Sequence, residues 1–410
     1  MKTAEREFDL VVWGASGFTG RLVAEHLAER VTAGMPLRWA LGGRNESKLH
    51  GIRSGLGADF AGLPVLVADS HDPDALASLA ARTAVVISTV GPYALYGSEL
   101  VAACAAAGTD YCDLAGETQW IRRMIIEHEA TAQQTGARIV HCCGFDSIPF
   151  DLGVFAAQRA MQEQHGVYAR DVTGLMRKMK GEFSGGTFAS MINLMKEASV
   201  DKDLRRQLRD LAMLIPDAER SIRSPACETR VCWCPEGDTW TAPFVMSPVN
   251  TRIVQRSHAL LGNPWADALN YEEAMATGSG VKGRTRAKLM TMGTGAMMMA
   301  AAIGPTRSVL ERLMPKPGEG PDEQSRLSGH YRAEFIAHHP ENRALDVLLA
   351  VTGDRDPGYG STSKMLAESA LCLAFDALDT QGGSWTPASA MGAALISRLE
   401  AHAGMAFSVQ

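Results

Sequence analysis

Three glycines at equal spacing, Gly14, Gly17 and Gly20, stand in the segment GASGFTG, with Ser16, Phe18 and Thr19 among them. A turn built this way lets the backbone reverse with no Cβ in the way, and it leaves the first amides of a following helix free to hold phosphate oxygens. Ser16 occupies the place of the second glycine in the usual dinucleotide fingerprint, so the spacing alone is a weak signal. Its setting strengthens it, because an apolar strand (FDLVVW, 8–13) leads straight into the turn and a helical pattern follows it. Arg44 then stands where an NAD site would carry an acid, and a guanidinium there can grip a 2′-phosphate with two charge-assisted hydrogen bonds. The pattern predicts NADP as the cofactor, with Gly14, Ser16, Gly17, Phe18, Thr19, Gly20 and Arg44 holding it. Asp69, at the end of a third strand, falls near the adenine on this reading, though an acid there also suits a helix cap. Thr89, Val90 and Gly91, after a fourth strand, complete the cofactor set.

A reductase using such a cofactor needs a positioned acceptor carbon and a source of one proton. Tyr93 lies just beyond the fourth strand, at the nicotinamide end of the expected site, and its phenol is a candidate donor; packing with a locally bonded hydroxyl is the plain alternative. Asp146 and Ser147 follow a sixth strand at the same end, as acid and orienting group or as a turn in which Ser147 caps the next helix. Lys364, beyond a glycine-rich turn, could meet a carbonyl or phosphate, or simply face solvent. Cys227, Cys232 and Cys234 form the closest group of thiols, but C-x4-C-x-C has no matching second ligand pair, so no metal site is expected.

The elements that would position these residues alternate. Strands are expected at 8–13, 37–41, 63–68, 84–90, 109–113 and 137–142, separated by helical segments that include Arg21 to Val31, Ser98 to Ala107 and Thr118 to Gln134. Strands this apolar belong to a parallel sheet covered on both faces, and ligands bind beyond the carboxyl ends of its strands. That is the end where the turn, Arg44, Asp69 and Gly91 to Tyr93 fall. The fold class is therefore α/β, with an N-terminal Rossmann doubly wound sheet over 1–143. A second α/β domain built on a mixed sheet follows over 144–375. In the second region Val172 to Lys180, Glu228 to Trp233, Thr251 to Ser257 and His330 to Ala337 have strand composition, and Ala344 to Val351 can pair with the last of these. Met314 to Ser325 reads as a loop or linker.

Several segments together resemble the saccharopine dehydrogenase-like oxidoreductases: GASGFTG, STVGPY (88–93), GFDSIPFDLG (144–153), SGGTFAS (184–190), DPGYGSTSKMLAESALCLA (356–374) and TPASAMGAALISRLE (386–400). They are most similar to the branch of trans-acting enoyl reductases, and the similarity spans nearly the whole chain. The resemblance implies an NADPH-dependent reduction of the C=C bond of an enoyl intermediate in lipid or polyketide assembly, on a substrate that a carrier can present. It also implies a homodimer and a C-terminal helix, within 376–410, that returns to the first domain. A saccharopine-type oxidation or reduction at an amino-acid C–N bond is the alternative within enzymes, and a non-catalytic NADP(H) sensor or scaffold the alternative outside them.

The 410 residues, 46% hydrophobic and 21% charged, suffice for two domains of a folded protein, and a net charge of −6 with interspersed signs gives no footprint for nucleic acid. The charged N-terminus passes straight into a strand without a signal-peptide pattern, which predicts a cytoplasmic protein. Leu289 to Gly304 is apolar, rich in methionine and preceded by Lys282, Arg284, Arg286 and Lys288. It is too short for a membrane span, and three readings fit it: a buried helix, an acyl-binding wall, or a peripheral membrane contact.

Overall fold

The structure is a computed structural model that describes residues 6–181, 185–215, 230–303, 306 and 320–410, with the backbone alone for 187, 188 and 302. Its first sheet has seven parallel strands in the order β3-β2-β1-β4-β5-β6-β13, where β1 is Phe8–Trp13, β2 Trp39–Gly43, β3 Val65–Val67, β4 Thr83–Ser88, β5 Asp110–Asp113, β6 Arg138–Val140 and β13 Gly383–Trp385. Every residue of β1 is buried, because alternate side chains serve two cores. Leu10, Val12, Val85 and Ile87 pack with Val23 and Leu27 of the helix Phe18–Thr32 and with Leu366 of the helix Thr362–Phe375. Val11, Trp13 and Val86 face the other way, against Leu100 and Val101 of the helix Ser98–Ala107 and Trp120 and Ile121 of the helix Thr118–Thr135. A one-residue slip of any strand would exchange the two sets, so the register is fixed by burial.

The second sheet also has seven strands, in the order β14-β12-β11-β7-β10-β9-β8. These are β7 Asp171–Lys180, β8 Cys232–Cys234, β9 Thr239–Pro243, β10 Asn270–Gly278, β11 His330–His338, β12 Val347–Gly353 and β14 Met405–Val409. Only β7 and β10 run parallel; the other pairs are antiparallel, giving the mixed sheet expected from the sequence. The helix Ile148–His165 covers one face, and the ring of Phe335 lies where a Cβ on Gly153 would be, so glycine is required there. The C-terminal segment serves both sheets: β13 pairs with β6, the helix Pro387–His402 packs between the helices Thr362–Phe375 and Ile148–His165, and β14 pairs with β12.

Four expectations change. Thr251 to Ser257 is not a strand but part of the helix Ser247–Leu260, with Pro at its start and residues Asn250 to His258 all buried. Its β-branched Ile253 and Val254 suggested a strand, but tertiary burial on every side overrides that propensity. The first helix begins at Phe18 rather than Arg21, and a short helix, Glu323–Ser328, occupies the end of the expected loop, whose residues 314–319 lie outside the described ones. Leu289 to Ile303 is not a buried helix: it falls in the second half of the helix Gly280–Ala302, where Ala301 is buried but Leu289, Met292 and Met299 are exposed. Gly304, Cys227, Ser184 and residues 228–229 also lie outside the described residues.

Candidate active site

The turn after β1 is closed by contacts that only glycine permits. Gly14 has φ +87°, and a Cβ on it would stand 2.6 Å from Val90 Cγ2 and 2.7 Å from Thr89 Oγ1. A Cβ on Gly20 would run into the carbonyl of Gly14 and stand 2.8 Å from the Cα of Ala15, so helix and turn pack backbone to backbone. Thr89 Oγ1 donates to the carbonyls of Trp13 at 3.1 Å and Gly14 at 3.2 Å, tying the end of β4 beneath the turn. The helix Phe18–Thr32 starts at Gly17 with no side-chain cap and no acid in its first turn. The amides of Phe18, Thr19 and Gly20 are thus left to an anion, in the positive field of the helix start. The phenyl of Phe18 packs edge-on against Tyr359 at 4.7 Å, with the guanidinium of Arg326 at 5.7 Å.

Ser16 Oγ lies 3.8 Å from the position a Cβ on Gly43 would take, so the turn reaches the end of β2. Arg44 follows immediately, exposed, and Asn45 caps the helix Glu46–Gly55 by accepting from the Lys48 amide. A 2′-phosphate at this point would meet Arg44 and Lys48 at the start of a second helix. Asp69 is exposed at the far edge, where its Oδ1 accepts from the His71 amide at 2.9 Å. The cap of the next helix, Pro73–Ala81, is Asp72 and not Asp69.

Beside Thr19 opens a narrow pocket of about 50 Å³ between the carboxyl end of the first sheet and the second. Leu114, Phe145, Met179, Phe244, Val245, Met246 and Pro357 give it an apolar lining, and Asp146 is the only ionisable side chain among its described lining residues. No described hydrogen-bond donor or cation reaches the Asp146 carboxylate, and burial pushes it from the ordinary 3.8 up to about 7. It is therefore a carboxylic acid that holds or releases a proton near neutrality. Thr362 fixes the preceding loop by accepting from the Phe145 amide at 3.0 Å while donating to the Pro357 carbonyl at 2.8 Å.

The other two expected donors are placed differently. The Tyr93 side chain is buried, its hydroxyl donating to the Ser88 carbonyl at 3.0 Å and accepting from the Leu114 amide at 3.4 Å, and burial raises its pKa well above the usual phenol value. It is turned into the sheet rather than toward the pocket. Ser147 occupies the cap position of the helix Ile148–His165 but makes no capping bond; its hydroxyl donates to Asn250 Oδ1 at 3.4 Å. Asn250 in turn donates to Glu273, which also accepts from Tyr271, so Ser147 anchors the Asp146 loop to the second domain. Lys364 lies beside His26 and Glu29, on the flank of the first helix. Among the described residues no cluster of potential metal ligands occurs; Cys234 of β8 donates to Glu236.

The model of the saccharopine dehydrogenase NADP-binding domain matches residues 10–140, which span β1 to β6 and the whole glycine turn. A Mycobacterium tuberculosis chain whose name places it among the trans-acting enoyl reductases is 43% identical over 413 residues, covering 98% of this chain and 97% of the relative. A trans-acting enoyl reductase of Mycobacterium bovis is 40% identical over 420 residues, with 97% of each chain covered. The chain belongs to the saccharopine dehydrogenase-like family. Within it the similarity is to the trans-acting enoyl reductase branch. The solved saccharopine dehydrogenase (L-Glu forming) of Saccharomyces cerevisiae shares the fold, with a TM-score of 0.53 at 13% identity over 98% of this chain and 99% of that one.

As a member of this family the protein is an NADP-dependent oxidoreductase, and the glycine turn, the uncapped helix start and Arg44 fit that cofactor. The sequence did not single out Glu117. Its buried carboxylate accepts from the amides of Tyr93 at 2.7 Å and Ala94 at 3.0 Å and from Ser190 Oγ at 2.8 Å, and burial raises its pKa. Glu117 thus ties the segment after β4 to the helix Gly185–Val200. An acid following an apolar strand and preceding a helix was the available signal, but it reads equally as a surface cap.

Proposed function

We propose that the protein is an NADPH-dependent reductase of the C=C bond of an enoyl group, with Asp146 as the proton donor. The observation that carries this is the pocket: an apolar slot beside the cofactor turn in which one ionisable group stands among the described lining residues, an acid poised near neutrality. NADPH, when bound, supplies hydride for the β-carbon. The chain's own residues then have two tasks. The apolar walls hold an acyl chain and exclude water, and Asp146 holds a proton for the α-carbon or the carbonyl oxygen as negative charge develops there. Gly14, Ser16, Gly17, Phe18, Thr19 and Gly20 cradle the diphosphate, Arg44 grips the 2′-phosphate, and Thr89, Val90 and Gly91 lie beneath the nicotinamide end. Asp69 borders the adenine. Tyr93 and Ser147 act as positioning residues for the segments that flank the slot.

The amino-acid alternative is disfavoured by the same lining. A zwitterion requires a fixed cation and anion, and the described lining offers no cation. On the reading proposed here the partners are a carrier that presents the acyl group, a second copy of the chain in a homodimer and, peripherally, a membrane. Consumption of NADPH by purified protein with enoyl thioesters of increasing chain length, free and carrier-linked, tests the function. Reduction of an imine substrate but of no enoyl thioester would replace it with the C–N reading, and bound NADPH that neither substrate oxidises would leave a sensor.

A further inference from the structure

The helix Gly280–Ala302 packs against β9 and β10 and against the helix Gly185–Val200. Gly283 and Ala287 are buried beside β9 and β10, and Ala301 packs on Ile192 of the helix Gly185–Val200. From Leu289 to Ile303 the chain contains no charged residue, yet Leu289 is 64% exposed, Met292 70% and Met299 66%. Leu289, Met292 and Met299 are spaced so that they line one stripe of the helix. Before them stand Lys282, Arg284, Arg286 and Lys288, all exposed, and the helix has no acid along its length. None of these four cations forms an ion pair among the described residues, although Arg284 lies over the ring of Trp240.

We propose that this helix rests on an anionic lipid surface, with Leu289, Met292 and Met299 among the acyl chains and Lys282, Arg284, Arg286 and Lys288 at the level of the headgroups. An apolar stripe of this kind is unfavourable in water unless something covers it, and a run of unpaired cations next to it is complementary to anionic headgroups. Unbranched thioethers adapt to irregular hydrocarbon better than branched side chains do. Among the described residues no helix is long and apolar enough to cross a membrane, so the contact is with one face only.

The stripe is also joined to the pocket. The helix Gly185–Val200, on which Ala301 packs, is bound to the first domain through Ser190 to Glu117 and through Gln119 to Glu197 at 3.3 Å. Gly181, a few residues before that helix, lines the slot that holds Asp146. The surface contact stands without the proposed reduction; its purpose, delivery of an acyl substrate, rests on it.

Sedimentation with vesicles tests the proposal. The protein should pellet with phosphatidylglycerol/phosphatidylcholine vesicles and be left behind by pure phosphatidylcholine. A Lys282→Glu/Arg286→Glu/Lys288→Glu variant and a Met292→Gln/Met299→Gln variant should each bind the anionic vesicles at least about tenfold more weakly. All five positions are exposed on the one helix, and both variants should keep NADPH affinity and turnover of a short soluble enoyl thioester. Vesicle binding lost with turnover kept separates this contact from the reductase reading, and binding kept in a protein that reduces no enoyl thioester separates them the other way. Failure to bind anionic vesicles, or binding that neither variant weakens, would overturn the proposal. So would a dimer in light scattering that the methionine variant converts to monomer, since the stripe would then belong to a second copy of the chain.

Discussion

Replacing Asp146 by Asn keeps the shape of the slot and removes the one titratable proton among its described lining residues. General acid catalysis of this kind contributes about 10²- to 10⁴-fold, so Asp146→Asn should lower kcat by that factor, about 3–5 kcal/mol in activation free energy. The structure also sets the pH dependence. Burial raises the carboxyl from 3.8 to about 7, so the wild type should keep a constant rate below that value and lose about tenfold per pH unit above it. The same rise has a stability consequence of definite sign. A carboxyl whose folded pKa lies above its unfolded one contributes stability that is complete below 3.8 and is lost as pH climbs through about 7. Three decades of ionisation correspond to at most about 4 kcal/mol, reduced by whatever solvent reaches the pocket mouth. Asp146→Asn should therefore unfold at a higher temperature than wild type at pH 8 while turning over far more slowly. Initial rates of NADPH consumption from pH 6 to 9, with thermal melts on the same samples, measure both. An Asn variant with wild-type rates and the same alkaline limb would show that the proton comes from elsewhere.

Arg44→Ala should weaken NADPH binding by about 1–3 kcal/mol and leave NADH binding unchanged, because only the 2′-phosphate loses a partner; equal losses in a titration of both cofactors would contradict this. Gly20→Ala should abolish binding of either cofactor, since its Cβ would press on the carbonyl of Gly14, and protein that still binds NADPH in calorimetry would refute the turn geometry. Tyr93→Phe should cost about 0.5–1.5 kcal/mol of stability with turnover nearly intact, as a positioning role requires, whereas a loss of turnover comparable to that of Asp146→Asn would make the phenol the donor. Glu368 is fully buried and meets His26 at 2.9 Å, Arg30 at 3.1 Å and Arg398 at 3.4 Å, so Glu368→Gln should cost about 3–5 kcal/mol in chemical denaturation. Burial pulls His26 down, but its bonds to Glu29 and Glu368 prevail and its pKa is raised; that stability is present below 6.5 and is lost as pH rises through the folded value, a slope the variant should reduce.

The cofactor-binding domain and the place of its glycine turn were legible because each part obeys a local rule. Gly14 to Gly20 sit between an all-apolar strand and a helix, and Arg44 stands one residue past a strand end, so position in sequence nearly determines position in space. The chemistry of the slot was less so. Asp146 could be named as one of several acids and hydroxyls after a strand, but what distinguishes it is desolvation by Phe145, Met179 and Phe244, residues far apart in the chain. Tyr93 was in the right segment and pointed the wrong way, since a side chain's direction after a strand end depends on contacts such as Ser88 and Leu114 that no spacing encodes. Thr251 to Ser257 misled for the same reason, its composition matching a strand while burial on all sides made it a helix. The methionine-rich helix showed its composition plainly, but only the exposure of Leu289, Met292 and Met299 removed the core reading.

The placing of β13 and β14 has a consequence for how the chain is made. Both sheets receive an edge strand from the last stretch of sequence, 383–385 for the first and 405–409 for the second. During synthesis neither sheet can be completed until that stretch has left the ribosome, so the first domain waits, unfinished at one margin, for residues translated long after its own core. A chain cut short before residue 383 would expose the flank of β6 in one sheet and of β12 in the other at once, two sticky borders from a single lesion. The segment 383–409 is thus a clasp that closes both sheets at once.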